Sequence, residues 1–194
     1  IFEKEGVKYR AFHTETVGDE KVQENAGDII LCMYARIGMF HHLVGIAAQS
    51  TCLIGRDNER EQLAKQLRIK SLGDEAWGIQ SIKNRWGNDK KSWDSHWNKD
   101  CGWIPNWYCP NDSFIWFETP IKINAEKITG RQLLNTRYSN HKKLSPDQVK
   151  TIIGSVPENL QTKKWKDIYS VAVREAGYPS TETLINDIAD IIKN

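Results

Sequence analysis

Through the first part of the chain the apolar residues fall into runs of strand length. In "GVKYRAF", residues 6–12, Val7, Tyr9 and Ala11 alternate with Lys8 and Arg10, the two-residue period of a half-buried strand. "AGDIILCMYA" sets a turn signal, Gly27 and Asp28, ahead of a continuous apolar run, as a strand entering a core reads. "HHLVGIAAQSTCLIG", from His42 onward, is a second such run, and Gly45 inside it marks a bulge or a point of close backbone approach. Three strands are expected before residue 56.

The pattern then changes period. "DNEREQLAKQLRIK", residues 57–70, predicts a helix with Asp57 as its cap, acids in the first turn and bases in the last. "GDEAWGIQSIKNRWG" predicts a second helix ending at Gly87. From Trp86 to Glu118 no period persists, and Gly87, Gly102, Pro105 and Pro110 interrupt the chain, so much of this segment is expected as loop. "FIWFETPIKI" returns to strand character with Pro120 at an edge, bulge or strand end, and Trp116 is expected in its core. In "SPDQVKTIIG", Ser145 suits the cap, Pro146 the first helical position and Gly154 the end. The last forty residues read as two amphipathic helices parted by Gly177 and Pro179.

Strands, a helical insertion, further strands and a helical tail predict an α+β fold: a small mixed β-barrel flanked by helices, over residues 1–154, with a C-terminal helical extension over 155–194. With 194 residues, 39% of them apolar and 27% charged, the chain has material for one ordinary domain plus an extension. No run of about eighteen apolar residues occurs, and the start has no signal core. No membrane association is expected, and an intracellular location, cytoplasmic in a prokaryote, is. Because the sequence starts without Met, it reads as a piece of a larger protein.

Composition sharpens the picture in two places. Charge is uneven: residues 121–174 carry 11 Lys/Arg against 4 Asp/Glu, while the flanks are slightly acidic. That block predicts a local positive surface, with a solvated helical face as the plainer alternative. Tryptophan is the second outlier, since six of eight lie between Trp86 and Glu118. The four cysteines, Cys32, Cys52, Cys101 and Cys109, lack zinc-ribbon spacing and are too few for a disulfide scaffold, so reduced thiols are expected. His96, Cys101 and Cys109 follow no recurrent ligand spacing, and no metal or cofactor is expected.

Enzyme motifs are absent: no phosphate loop, no Gly-x-Ser-x-Gly elbow and no His-Glu-x-x-His. His41 and His42, with His96, leave a metal-dependent nuclease or base-processing enzyme as the alternative reading. Tryptophan suggests binding instead, because several indoles around a segment can stack a planar group or enclose a cation. Nucleobases are such groups, and Asp94, Asp100, Asn106, Asn111 and Asp112 lie among the indoles as candidates to test a base's edge. The plainer alternative is that the rings fill a core. Arg131, Arg137, Lys142, Lys143, Lys163, Lys164 and Lys166 are candidate phosphate contacts.

The order of these features resembles the PUA-like superfamily, in particular its EVE and YTH-like branches: a Gly-Asp turn into "IILCMYA", then "LVGIAAQS", then a Trp-bearing segment leading into "FIWFETPIKI". "LLNTRYSNHKKLSPDQVKTIIG" is similar to the close of such domains, and the resemblance spans roughly residues 7–154. It implies a non-catalytic reader of a modified base, methylated or hydroxymethylated, flipped into an aromatic cage in DNA rather than RNA. Such modules act as specificity domains of modification-dependent restriction systems, with an effector nuclease or motor elsewhere. By resemblance, Tyr34 matches the strand-end aromatic, Trp97, Trp103 and Trp107 the cage-wall segment, and Trp77 and Trp86 a further wall; Asp100 and Asn106 stand beside them as base-edge candidates. The tryptophan count and the length of the intervening segment exceed those of a compact EVE domain. A domain that binds a peptide or methyl-lysine in an aromatic cage is the remaining alternative.

Overall fold

The structure, a computed structural model, describes residues 1–14, 22, 25–100, 105–134 and 143–177, the side chains of residues 99 and 100 excepted. It is an α+β protein. Its strands are β1 (Phe2–Lys4), β2 (Val7–Phe12), β3 (Ile29–Ile37), β4 (Phe40–Cys52), β5 (Trp107–Pro110) and β6 (Phe114–Ile123). They form an antiparallel path ordered β1-β2-β5-β4-β3, with β6 also paired to β4. The path is open: among the described residues no pairing joins its ends into a barrel. The chain divides into two compact units, Ile1–Ala26 with Thr51–Tyr108, and Gly27–Ser50 with Cys109–Asn194. The boundary expected at residue 154 falls inside the second.

In the first unit, β1 and β2 form a hairpin in which Phe2 faces Tyr9, and the rings of Phe2, Tyr9 and Tyr108 meet at 5.4–5.7 Å. The last two residues of β4 pair with β5, Thr51 opposite Tyr108 and Cys52 opposite Trp107. Helices α1 (Asp57–Gln66), α2 (Ile69–Trp77), α3 (Gln80–Arg85) and α4 (Lys90–Ser95) lie between these strands in sequence. The single helix expected over 57–70 is two helices. Arg68 adopts a left-handed backbone, φ 53°, and the N–H groups of Leu67 and Arg68 close α1 onto the carbonyls of Leu63 and Lys65. Asp57 lies in the first turn rather than at the cap, which Arg56 occupies. The helix expected to reach Gly87 is likewise broken, after Trp77.

The Trp-rich segment is more ordered than its lack of period suggests. Asp89 caps α4, accepting from the Ser92 N–H at 3.1 Å, and α4 runs into a π-helical turn, His96–Asp100. Trp107 opens β5 rather than closing a loop. The expectation of loop fails here because Trp93, 5% exposed, holds α4 by its burial, a tertiary effect that no local pattern carries.

The second unit is organised on β4, which pairs with β3 along one edge and β6 along the other. Bulges interrupt both ladders beside Val44, so that Leu43 and Ile46 face one side although three residues apart. That side carries the core: Leu43, Ile46 and Ala48 from β4, Phe117, Ile121 and Ile123 from β6, and Ile30, Cys32 and Tyr34 of β3 packed against them. Trp116 is a correction. Strand alternation turns Ile115 and Phe117 inward and Trp116 outward, where it is 60% exposed.

Helices complete this core. α5 (Ala125–Thr129) is capped by Asn124, and α6 (Pro146–Gly154) begins with Ser145 as its cap and Pro146 at its first position, as the sequence predicts, while Gln148 completes a capping box. Thr162 caps α7 (Lys163–Glu175), which inserts Trp165, Ile168 and Ala172 into the core. The Trp165 indole donates to the Ile153 carbonyl at 3.0 Å and stacks on Tyr169 at 4.8 Å. Burial of a large ring with its N–H satisfied makes α7 part of this unit's stability. Trp165→Ala is expected to cost about 3–5 kcal/mol, measurable by urea unfolding; a loss below about 1 kcal/mol would show that α7 is not integral to the core.

Candidate functional site

Four tryptophans and a histidine gather on α2, α3, α4 and the π-helical turn. Trp93 is the centre: Trp77 lies 6.3 Å away and nearly parallel, Trp86 at 6.0 Å edge-on, Trp97 at 5.4 Å and His96 at 6.1 Å. Trp86 and His96 approach to 4.6 Å. Trp93 is buried and its Nε1–H donates to the Gly73 carbonyl at 2.9 Å, which ties α4 to α2. Gly73 is required by the same packing, because a Cβ there would lie 2.7 Å from the Trp97 ring. Lys90 reinforces the joint by bonding Asp74 at 2.8 Å and Asp94 one turn along, and these hydrogen bonds hold its ammonium above its ordinary range.

Trp77, Trp86, His96 and Trp97 are half-buried, so each contributes ring surface both to the cluster and to solvent. Of the residues matched to a cage, the structure thus brings Trp77, Trp86 and Trp97 together around Trp93, a residue the resemblance did not single out. The four-residue spacing of Trp93 and Trp97 in "WDSHW" is the helical signal that could have found it.

Trp107 and Asn106 have a different place. Trp107 is fully buried in β5, and its Nε1–H donates to the Thr14 hydroxyl at 2.8 Å. The Asn106 side chain, 4% exposed, bonds the Thr14 N–H at 2.9 Å and the Thr14 carbonyl at 2.7 Å. Both pin the end of the β2 segment, and neither presents a face or an edge to a ligand in this conformation. Trp103 and the side chain of Asp100 lie outside the described residues. Asp94 and Asp112 are engaged with Lys90 and Lys164, and the Asn111 carbonyl accepts from Lys164 at 2.8 Å.

The remaining predicted residues belong to the second unit. Tyr34 packs on the core and its ring lies 5.3 Å from His41. Arg131, Lys143 and Lys166 are exposed, whereas Lys163 pairs with Asp167. Arg137 and Lys142 fall outside the described residues. The nuclease alternative required His41, His42 and His96 at one metal; among the described residues no three His, Cys, Asp or Glu side chains converge as ligands. His41 is 3% exposed, and burial, Arg36 and then His42 push its pKa below the usual histidine value. Burial likewise pushes the Cys32 thiol up to about 12, which keeps it protonated and a poor nucleophile.

No protein-family model matches the chain, and neither a curated protein nor a solved structure matches it. No helix among the described residues is long and apolar enough to cross a membrane.

Two outcomes follow from this geometry. Trp93→Phe keeps an aromatic body but removes the indole hydrogen bond that ties α4 to the Gly73 carbonyl, and should lower stability by about 0.5–1.5 kcal/mol in urea unfolding, with a changed tryptophan emission spectrum. For His41, the neutral form is the one the fold accepts. Its contribution is therefore complete above pH 6.5, declines as the pH falls below that value, and levels off once the folded imidazole protonates. Thermal melts of the wild type against His41→Gln across this range, with an NMR titration of the imidazole, check the sign.

Proposed function

We propose that the chain is a nucleic-acid-binding module that recognises a modified base, in DNA rather than RNA, by taking the extruded base against the indoles of Trp77, Trp86 and Trp97. The observation that carries this reading is the aromatic wall: three half-buried indoles and His96 held around a buried Trp93 whose N–H is fixed to α2. Such a wall is ordered before the ligand arrives, so stacking a planar base costs little further side-chain entropy. A methyl or hydroxymethyl group adds contact area against the same rings.

The excess of Lys and Arg in residues 121–174, with Arg131 and Lys143 exposed, supports phosphate binding as the sequence-independent part of affinity. The resemblance of the sequence to PUA-like base readers supports the same assignment. Trp107 and Asn106 act in this reading as supports for the fold rather than as cage walls. Cleavage or motor activity belongs to a separate effector, in the manner of specificity modules of modification-dependent restriction systems.

Binding of labelled duplexes carrying methylcytosine, hydroxymethylcytosine or methyladenine, against the unmodified duplex, tests the reading by fluorescence anisotropy. Trp86→Ala and Trp97→Ala should each reduce affinity for the preferred modified duplex by roughly tenfold and erase most of the preference, leaving salt-sensitive background binding. Circular dichroism checks that each variant is folded. Equal affinity of the wild type for every duplex would overturn base reading, and selective capture of a trimethyl-lysine peptide would assign the wall to a methylated ammonium instead.

A further inference from the structure

The first unit holds a cleft that none of the tryptophans lines. It opens beside the turn where α1 passes into α2, and its volume of about 400 Å³ is that of a small-molecule site. Ile1, Ala11, Leu67, Ile69 and Leu72 give it aliphatic walls, and Gln66 and Arg68 are its polar groups. Among the described residues, no aromatic ring and no acid lines it.

Charge around the cleft has one sign. From Gln62 to Gly73 the chain carries Lys65, Arg68 and Lys70 and no acid, and among the described residues none of the three cations is in an ion pair. Glu3 of β1 stands in register with Lys8, and alternation turns it away from the face that Phe2, Tyr9 and Ala11 share. The backbone at Arg68 adds a second observation. Arg68 is held in a left-handed conformation, φ 53°, in the turn that parts the two helices, a position where glycine or asparagine is the usual occupant. A guanidinium is therefore kept at the cleft against the preference of its own backbone. The Arg68 and Gln66 side chains are exposed, and among the described residues neither has a protein partner.

We infer that this cleft binds a small aliphatic carboxylate, its alkyl chain against Leu67, Ile69 and Leu72 and its head on Arg68. Aliphatic walls take up an alkyl chain by removing it from water, and the fork of a guanidinium meets the two oxygens of a carboxylate. The Gln66 amide N–H is a second donor for the same head. Charge and shape decide the occupant. No acid lines the cleft to hold an ammonium, and no ring lines it to stack a base. The site uses none of the residues assigned to base reading, and stands whether or not the first unit prefers a modified base.

Amide NMR spectra of the full chain, titrated with sodium octanoate, octanol or octylammonium chloride at constant ionic strength, test it. Octanoate should shift the Leu67, Arg68, Ile69 and Leu72 amides saturably, and octanol and octylammonium should bind there roughly tenfold more weakly. Arg68→Gly suits the left-handed turn, so it removes the guanidinium without straining the fold. It should weaken octanoate binding on the order of tenfold, with Arg68→Lys recovering part of the loss. Leu72→Glu sets a like charge on a partly exposed wall and should abolish binding, while circular dichroism checks that each variant is folded. Wild-type affinity in Arg68→Gly overturns the site. So does octylammonium binding as tightly as octanoate, or the absence of any saturable shift at these four amides. Modified-base preference in the Trp86 and Trp97 variants is a separate readout, so either assignment can fail alone.

Discussion

Pairing of β4 along both of its edges is the constraint on which the second unit depends. The strand is thirteen residues long, nearly all apolar or small beyond His42, and its backbone groups are taken up by β3 on one side and β6 on the other. A strand buried this way cannot slip by one residue without turning Leu43, Ile46 and Ala48 out of the core. The bulges beside Val44 are what let Leu43 and Ile46 face the same side. They also bring Gly45 under Trp116, so the core and the outward aromatic face are consequences of one register. The chain leaves this strand through Thr51 and Cys52, which pair with β5 in the first unit.

The tryptophans show how far environment decides what one residue type does. Trp93, Trp107 and Trp165 are buried, and each places its N–H on an internal oxygen: the Gly73 carbonyl, the Thr14 hydroxyl and the Ile153 carbonyl. A buried indole needs such a partner, because an unsatisfied N–H costs about as much as a lost hydrogen bond. These three are cross-links within the fold. Trp77, Trp86 and Trp97 share the packing of Trp93 but keep part of their surface open, and Trp116 lies mostly in solvent. An excess of tryptophan that reads in sequence as one cluster is therefore at least three arrangements with different physical roles.

Much of the local structure could be read directly. The Ser145 cap, the strand "IILCMYA", the long apolar run of β4 and the strand "FIWFETPIKI" depend on period and cap chemistry within a few residues, and they formed where expected. Boundaries set by a single backbone conformation were not legible: Arg68 carries no side-chain signal for a left-handed turn, so one expected helix became two. The Trp-rich segment failed for a different reason. Its prolines and glycines suggest loop, but burying Trp93 against Gly73 stabilises a short helix that propensity alone would not support.

The sequence by itself determined the α+β class of the fold, the existence of a basic stretch after residue 120, and the number and position of the aromatic side chains. Period, caps and charge are local properties, and local properties can be read from neighbours along the chain. Tertiary structure alone decided which indoles are sealed and which remain open. Trp107 and Trp116 are both strand residues of the same type, yet one is fully buried and the other 60% exposed. The difference is set by what covers each strand face, by residues as distant in sequence as Thr14 and Gly45, and such long-range partners leave no mark on the pattern around the ring itself.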